Sequence, residues 1–326
     1  MSAGVDEKPC GSDREGYLPV ELDTLCPAPV LEFDLYVPAE NVNGVVLYRE
    51  RNYPLEREDL NRLSQRGVRT LYIPTDGQNA YRRYLFDNVV KNTAAPPMQR
   101  YKVLTTATRS AFTAAFRSIS PHHMVRFADE FGKHMADIIC TGELSVFDLT
   151  SLMQHDYYTY THSVNVCTCS VALANMLWDD PKADLRGIAS GSVMHDIGKR
   201  RIPRFLLNKR GTLSDTERAT LREHPRVGFE ELCMRKDVAW GALMTVYQHH
   251  ERIDGRGYPA RLTEKETHEW ARICAVADVF DALRSDRPYR KARRLQDVVE
   301  YLESHAGRDL DKEMVRCWNS AIKCKS

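Results

Sequence analysis

HHERIDGRGYP, residues 249–259, is the stretch that decides which helical fold this chain adopts. Two adjacent imidazoles and a carboxylate, His249, His250 and Glu251, run into a turn-rich Asp254-Gly255-Arg256-Gly257-Tyr258-Pro259. Around it, from about residue 99 to the end, strand signals nearly vanish. Long amphipathic segments with short polar breaks replace them, which is the pattern of an all-helical domain. Ser214 and Glu217 form an S-x-x-E capping box ahead of a helix running toward Leu221.

Toward the N-terminus the pattern differs. Residues 1–28 are polar and turn-rich and are expected to be a flexible tail. VLEFDLYV (30–37) and VVLYRE (45–50) predict strands joined at Asn43-Gly44. PLEREDLNRLSQRG (54–67) predicts a helix between Pro54 and Gly67, VRTLYIP (68–74) another strand, and a helix follows through about Asn92. Residues 29–95 therefore predict a small α/β (α+β) domain of unknown role, closed by a linker at Ala94-Ala95-Pro96-Pro97. Residues 96–145 predict a helical linker and first helices, and 146–326 the domain that carries the chemistry. The whole is mainly α.

Composition narrows the function classes. The chain has 326 residues and a net charge of +1, so no broad basic surface for long nucleic acid is implied. The opening residues lack an apolar core for a secretory signal. Thr159 to Trp178 is free of Asp, Glu, Lys and Arg. It is long enough to span a bilayer, yet His162, Asn165 and Asn175 mark it as a buried helix, so no membrane span is expected. Nine scattered cysteines fit reduced thiols in a cytoplasm, and Cys167 and Cys169, two apart on a helix, do not suit a zinc clip. In the N-terminal domain no P-loop, dinucleotide fingerprint or receiver-type phosphoacceptor is seen.

The residues that carry chemistry lie in the C-terminal half. His195-Asp196 precedes Ile197-Gly198-Lys199, His224 precedes Pro225, Asp278 lies in ICAVADVFDAL, and His162 lies on the uncharged segment. Imidazole and carboxylate suit iron, manganese, cobalt, nickel or zinc, and the lack of thiolates argues against a structural zinc site. Seven candidate ligands are too many for one ion and about right for two sharing a bridging aspartate. Adjacent His195 and Asp196 on one helix would diverge by about 100°, which lets Asp196 bridge. Each piece alone has a bland structural explanation. Their joint occurrence, in this order and spacing, does not.

The segment from about Ser151 to Arg290 resembles the HD-GYP family, a branch of the HD phosphohydrolase superfamily. YTYTHSVNV (158–166), MHDIGKRRIP (194–203), LLNKRGTLSDTE (206–217), EHPRVGFE (223–230), HHERIDGRGYP (249–259) and VADVFDALRSDRPYRKA (276–292) match its motifs in order. The resemblance implies an all-helical HD-type catalytic domain that hydrolyses cyclic di-GMP to linear pGpG, and onward to GMP, with a water activated between two divalent metals. Iron or manganese come first, then zinc, nickel or cobalt. One metal would be held by His162, His195, Asp196 and Asp278, the other by Asp196, His224, His249 and His250. Lys199 would offset charge on the reacting phosphate. Gly257, Tyr258 and Pro259 would wall the substrate cleft, and Arg287 and Arg290 would hold the second phosphate and guanine. Asp254 and Asp281 would orient ligands and cap turns.

Some family members add a third metal through a glutamate where this chain has Tyr158, so two metals are expected here. Arg284 and Arg210 stand where smaller residues are common and are expected to be exposed. The competing functions are a hydrolase of another cyclic dinucleotide, a catalytically weak sensor or partner-docking module, and a diiron oxygenase. Lys199 and the GYP element favour phosphate chemistry. The N-terminal domain would sense a ligand, mediate homodimerisation, engage a signalling partner or hold the catalytic domain in check.

Overall fold

Tyr17–Glu21 (β1) is a strand inside the stretch expected to be a tail. It pairs antiparallel with Thr70–Pro74, Val20 opposite Leu71 and Leu18 opposite Ile73. A strand whose partner lies some fifty residues away leaves little local signal, and this one shows only a single fully buried side chain, Val20. The computed structural model describes residues 16–39, 44–153, 159–178, 184–209, 211–286 and 290–323. Two compact units divide the chain, Met1–Ala107 and Thr108–Ser326.

In the first unit β1 is followed by Leu35–Pro38 (β2), Val45–Arg49 (β3), helix Arg57–Gln65 (α1), Thr70–Pro74 (β4), Gln78–Leu85 (α2) and Pro97–Ala107 (α3). The antiparallel sheet has the order β1-β4-β2-β3. β2 begins later than the expected residue 30: Leu31 instead exchanges backbone hydrogen bonds with Asn52 and Tyr53. Asn43 lies outside the described residues. Leu71 and Ile73 alternate inward from β4 and meet Leu31, Phe33, Leu35 and the helical residues Leu85, Val89 and Val90 in one core. α3, expected beyond the linker, belongs to this unit. Arg100 Nε donates to the Val90 carbonyl at 2.9 Å, and Lys102 pairs with Asp23 at 3.0 Å.

The second unit is helical: Arg109–Arg117 (α4), Pro121–Ile139 (α5), Val146–Leu152 (α6), Thr159–Leu177 (α7), Leu185–Met194 (α8), Arg204–Leu207 (α9), Asp215–Leu221 (α10), His224–Leu232 (α11), Trp240–Gln248 (α12), Glu269–Arg284 (α13), Leu295–His305 (α14) and Lys312–Lys323 (α15). Start signals are set by caps. Asp184 accepts from Gly187 N at 2.7 Å, and Ser214 and Glu217 form the expected reciprocal box, 3.2 and 2.8 Å. The uncharged α7 is buried from Tyr160 to Ala174 apart from His162. A helix apolar all round belongs inside a bundle, and α7 packs against α8 and α13. α8 in turn packs against α5 and α12. No described helix is long and apolar enough to cross a membrane.

Candidate metal centre

Five helices of the second unit deliver the candidate ligands, mostly from their ends. α7 carries His162 and α13 carries Asp278. α8 stops at Met194, so His195 and Asp196 do not share a helix as expected: Asp196 has left helical geometry (φ −97°, ψ 12°) and opens a tight turn over Ile197–Arg201. His224 is the first residue of α11, and His249 caps the end of α12. Gly198 explains how the turn after Asp196 reaches His224. A Cβ there would come within 1.9 Å of the His224 carbonyl oxygen, so only glycine permits this approach.

The ligand atoms fall into two groups, each within 4.8 Å: His162, His195 and Asp278, and Asp196, His224, His249 and His250. Asp196 reaches both. Its Oδ2 lies 3.3 Å from His195 Nε2 and 3.5 Å from His162 Nε2, and its Oδ1 lies 3.2 Å from His224 Nε2 and 3.9 Å from His249 Nε2. Asp278 Oδ1 stands 3.3 Å from His162 Nε2, and its Oδ2 3.9 Å from His250 Nδ1.

Backbone carbonyls fix the rings. Nδ1–H of His195 donates to Ser192 O at 2.7 Å, that of His224 to Leu221 O at 2.8 Å, and that of His249 to Thr245 O at 3.1 Å. A carbonyl can only accept, so each Nδ1 holds the proton and each Nε2 turns a lone pair inward. His162 Nδ1 is held by Asp281 Oδ2 at 2.7 Å, and Asn165 Nδ2 and Ser285 Oγ fix Asp281 Oδ1 at 2.7 and 3.1 Å. This is the carboxylate–imidazole arrangement that orients metal-binding histidines.

The donor set fits divalent cations. His224 Nε2 and His249 Nε2 face each other at 3.3 Å, as do those of His195 and His162. Inward lone pairs so close repel unless a cation or proton lies between them. Asp196 is 2% exposed, and its Oδ1 is buried with no hydrogen-bond donor. Such an oxygen is costly unless a positive charge compensates it. Burial opposes ionisation of Asp196, yet Lys199 and His195 hold its carboxyl well below the usual range. Burial, with His224 adding, pushes His250 down to about 3, and burial with His250 and His195 pushes His249 down as well. Both are therefore neutral at pH 7, the form that binds metal. Burial would lower His162 too, but Asp196, Asp278 and Asp281 outweigh it and raise it.

Lys199 Nζ donates to Asp196 Oδ2 at 2.6 Å and sits at the rim of the centre. Tyr258 stacks on His250, ring centres 4.7 Å apart, and the Arg222 guanidinium lies over the Tyr258 ring, 5.3 Å from its centre. The loop bearing Gly257, Tyr258 and Pro259 is organised by a residue to which the motif reading assigned no role. Glu251, buried, accepts from the backbone N–H groups of Ala260, Arg261 and Leu262 at 2.6, 3.0 and 3.0 Å. Its place directly after two histidines is the signal that could have drawn attention to it. Gly257 packs its α-carbon on Glu251, leaving no room for a Cβ. Asp254 stays in this loop, accepting from Arg256 N at 2.9 Å, and touches no candidate ligand.

A cleft of about 230 Å³ is lined by His249, His250, Asp278 and Tyr258 together with Tyr301, His305 and Asp309. Arg290 is not among its lining residues; its guanidinium donates to the Ala282 carbonyl at 2.5 Å. Arg287, Tyr158 and Arg210 lie outside the described residues. Arg284 is half-buried rather than exposed, because it donates to the Arg293 carbonyl at 3.1 Å.

Comparison with known proteins agrees with this geometry. The family described as HD domain matches residues 155–314. A Pseudomonas aeruginosa protein named cyclic di-GMP phosphodiesterase PA4108 is 37% identical over 179 residues, 55% of this chain and 42% of the relative. The Vibrio cholerae protein named 3'3'-cGAMP-specific phosphodiesterase 2 is 32% identical over 188 residues, 56% of this chain and 35% of the relative. The chain thus spans less than half the length of either. The solved structure of Bd1817, described as an HDG"Y"P protein from Bdellovibrio bacteriovorus, shares the fold with a TM-score of 0.61 at 22% identity, over 94% of this chain and 99% of that one. Residues 155–314, with their histidines and aspartates gathered in one centre and the GYP loop laid against them, thus match the HD-domain family and resemble its HD-GYP branch.

Proposed function

We propose that this chain is a metal-dependent phosphodiesterase that opens cyclic di-GMP to linear pGpG, with GMP as a further product. The observation that carries the reading is Asp196, whose two oxygens each face a separate pair of imidazole nitrogens. His162, His195, Asp196 and Asp278 would hold one divalent ion, and Asp196, His224, His249 and His250 the other. Bound there, such ions supply Lewis-acid charge and a water of lowered pKa. The remaining work falls to the chain. Lys199, at the rim, places an ammonium where negative charge would grow on the phosphoryl oxygens. Tyr258, supported by His250 and by the Glu251 cradle, offers a face and a hydroxyl to the substrate. Guanidinium chemistry supports Arg287 and Arg290 at the second phosphate and guanine.

Iron or manganese suits the imidazole–carboxylate set. A homodimer or a signalling partner would use residues 29–95. The free thiols of Cys26, Cys140, Cys167, Cys169, Cys233, Cys274 and Cys317 support a cytoplasmic setting. A second reading, a mixed guanine–adenine substrate, is favoured by the 32% identity to a relative named for 3'3'-cGAMP. Anaerobic purification, metal analysis and incubation with both dinucleotides under several metals tests these readings. Two ions per chain and release of pGpG are expected. Full activity at one ion per chain overturns the two-metal assignment, and inertness toward cyclic di-GMP overturns the substrate.

A further inference from the structure

The cleft beside the metal centre is also lined by residues that the family motifs do not include. Tyr301 and His305 are one turn apart on α14 and share a face. Their rings stack with centres 3.9 Å apart at 20°. Arg293 lies on the Tyr301 ring at 5.4 Å, and His305 Nδ1–H donates to the Tyr301 carbonyl at 2.7 Å, so this aromatic wall is held in place. Beside it, Asp309 is pinned by two arginines: Arg252 forms a short ion pair with it, and Arg308 Nε donates at 3.1 Å. Ile253 N also donates to the Asp309 carbonyl at 3.3 Å. The turn after α14 is thereby tied to the loop that carries Tyr258.

We propose that this part of the cleft is a guanine subsite, with the base against Tyr301 and His305 and its polar edge toward Asp309 and Arg252. The proposal rests on the cyclic dinucleotide reading above. A cleft of about 230 Å³ falls below the roughly 300–1,000 Å³ typical of sites for drug-sized ligands, so it takes one base and not the whole dinucleotide. An aromatic wall stacks any base. The polar edge selects among them. Guanine presents N1–H and N2–H donors that a carboxylate accepts, and O6 and N7 acceptors that a guanidinium meets. Adenine has no such pair of adjacent donors. Because the same cleft is lined by His250 and Asp278, a base held by Tyr301 and His305 would help fix which phosphodiester meets the metal-ligating residues.

The test uses the full chain loaded with metal, three substrates and three variants. Tyr301→Leu and His305→Ala should each lower kcat/KM for cyclic di-GMP roughly 5- to 150-fold, mainly through KM. Hydrolysis of bis(p-nitrophenyl) phosphate, which carries no purine edge, should fall far less than that of cyclic di-GMP, and metal content should not change. Asp309→Asn should narrow the preference for cyclic di-GMP over cyclic di-AMP. Wild-type turnover of cyclic di-GMP with unchanged kinetics in Tyr301→Leu and His305→Ala overturns the subsite alone. Equal loss on cyclic di-GMP and the small diester assigns these residues to the fold and overturns it too. If wild type cleaves the small diester but leaves cyclic di-GMP intact, the substrate reading falls first and the subsite with it.

Discussion

Asp196 and Asp281 do different work although both are buried carboxylates beside His162. Asp281 is saturated by His162, Asn165 and Ser285, so it can only orient. Asp196 keeps one oxygen without a donor and is available to bridge cations. Their variants should separate accordingly. Asp196→Ala should cut turnover by far more than tenfold, a loss above about 1.4 kcal/mol, and should lower metal content. Retention of a tenth of the wild-type rate would end the bridging assignment. Asp281→Asn keeps the shape but weakens the grip on His162 Nδ1, and removal of such an orienting partner costs about 10- to 100-fold in metal affinity. Competition against a graded series of chelators measures it. Unchanged affinity would show that the His162 ring is positioned by packing alone.

At the scale of elements, the centre depends on helix ends meeting. The turn over Ile197–Arg201 lies against the start of α11 through Gly198, and the GYP loop is folded around Glu251. Gly198→Ala forces a methyl into the His224 carbonyl and must push α11 away. Overpacking of this kind costs about 1–3 kcal/mol. Thermal denaturation should show the loss, and metal content should fall with it because His224 moves. A variant as stable and as metal-rich as wild type would mean that the turn and α11 yield without disturbing the ligands.

For the whole molecule, metal and stability are coupled. The helical unit gathers five histidines and two aspartates at its centre, with inward imidazole lone pairs 3.3 Å apart. Cations that bind only this folded arrangement stabilise it by mass action, about 2.7 kcal/mol at a hundredfold excess over Kd. Chelation should therefore lower the Tm of the Thr108–Ser326 unit in calorimetry, and readdition of manganese or iron should restore it. A Tm indifferent to chelation would mean that the centre is held by its packing and hydrogen bonds without the ions.

Much of this molecule was legible before any coordinates. The uncharged run around His162 determined a buried helix, Ser214 and Glu217 determined a helix start, and the order of the histidine and aspartate motifs determined an HD-type domain. Those signals are local: helix periodicity, caps and ligand chemistry reside in neighbouring residues. The sequence did not reveal β1, because its pairing with β4 joins distant segments and its composition resembles a loop. Nor could it show that His195 and Asp196 sit in a turn, that Glu251 gathers three backbone amides, or that Tyr301, His305 and Asp309 face the same cleft as His250. These are facts of long-range packing. Residue types determine which chemistry is available, and only the meeting of helix ends from α7 to α14 decides which groups share a space.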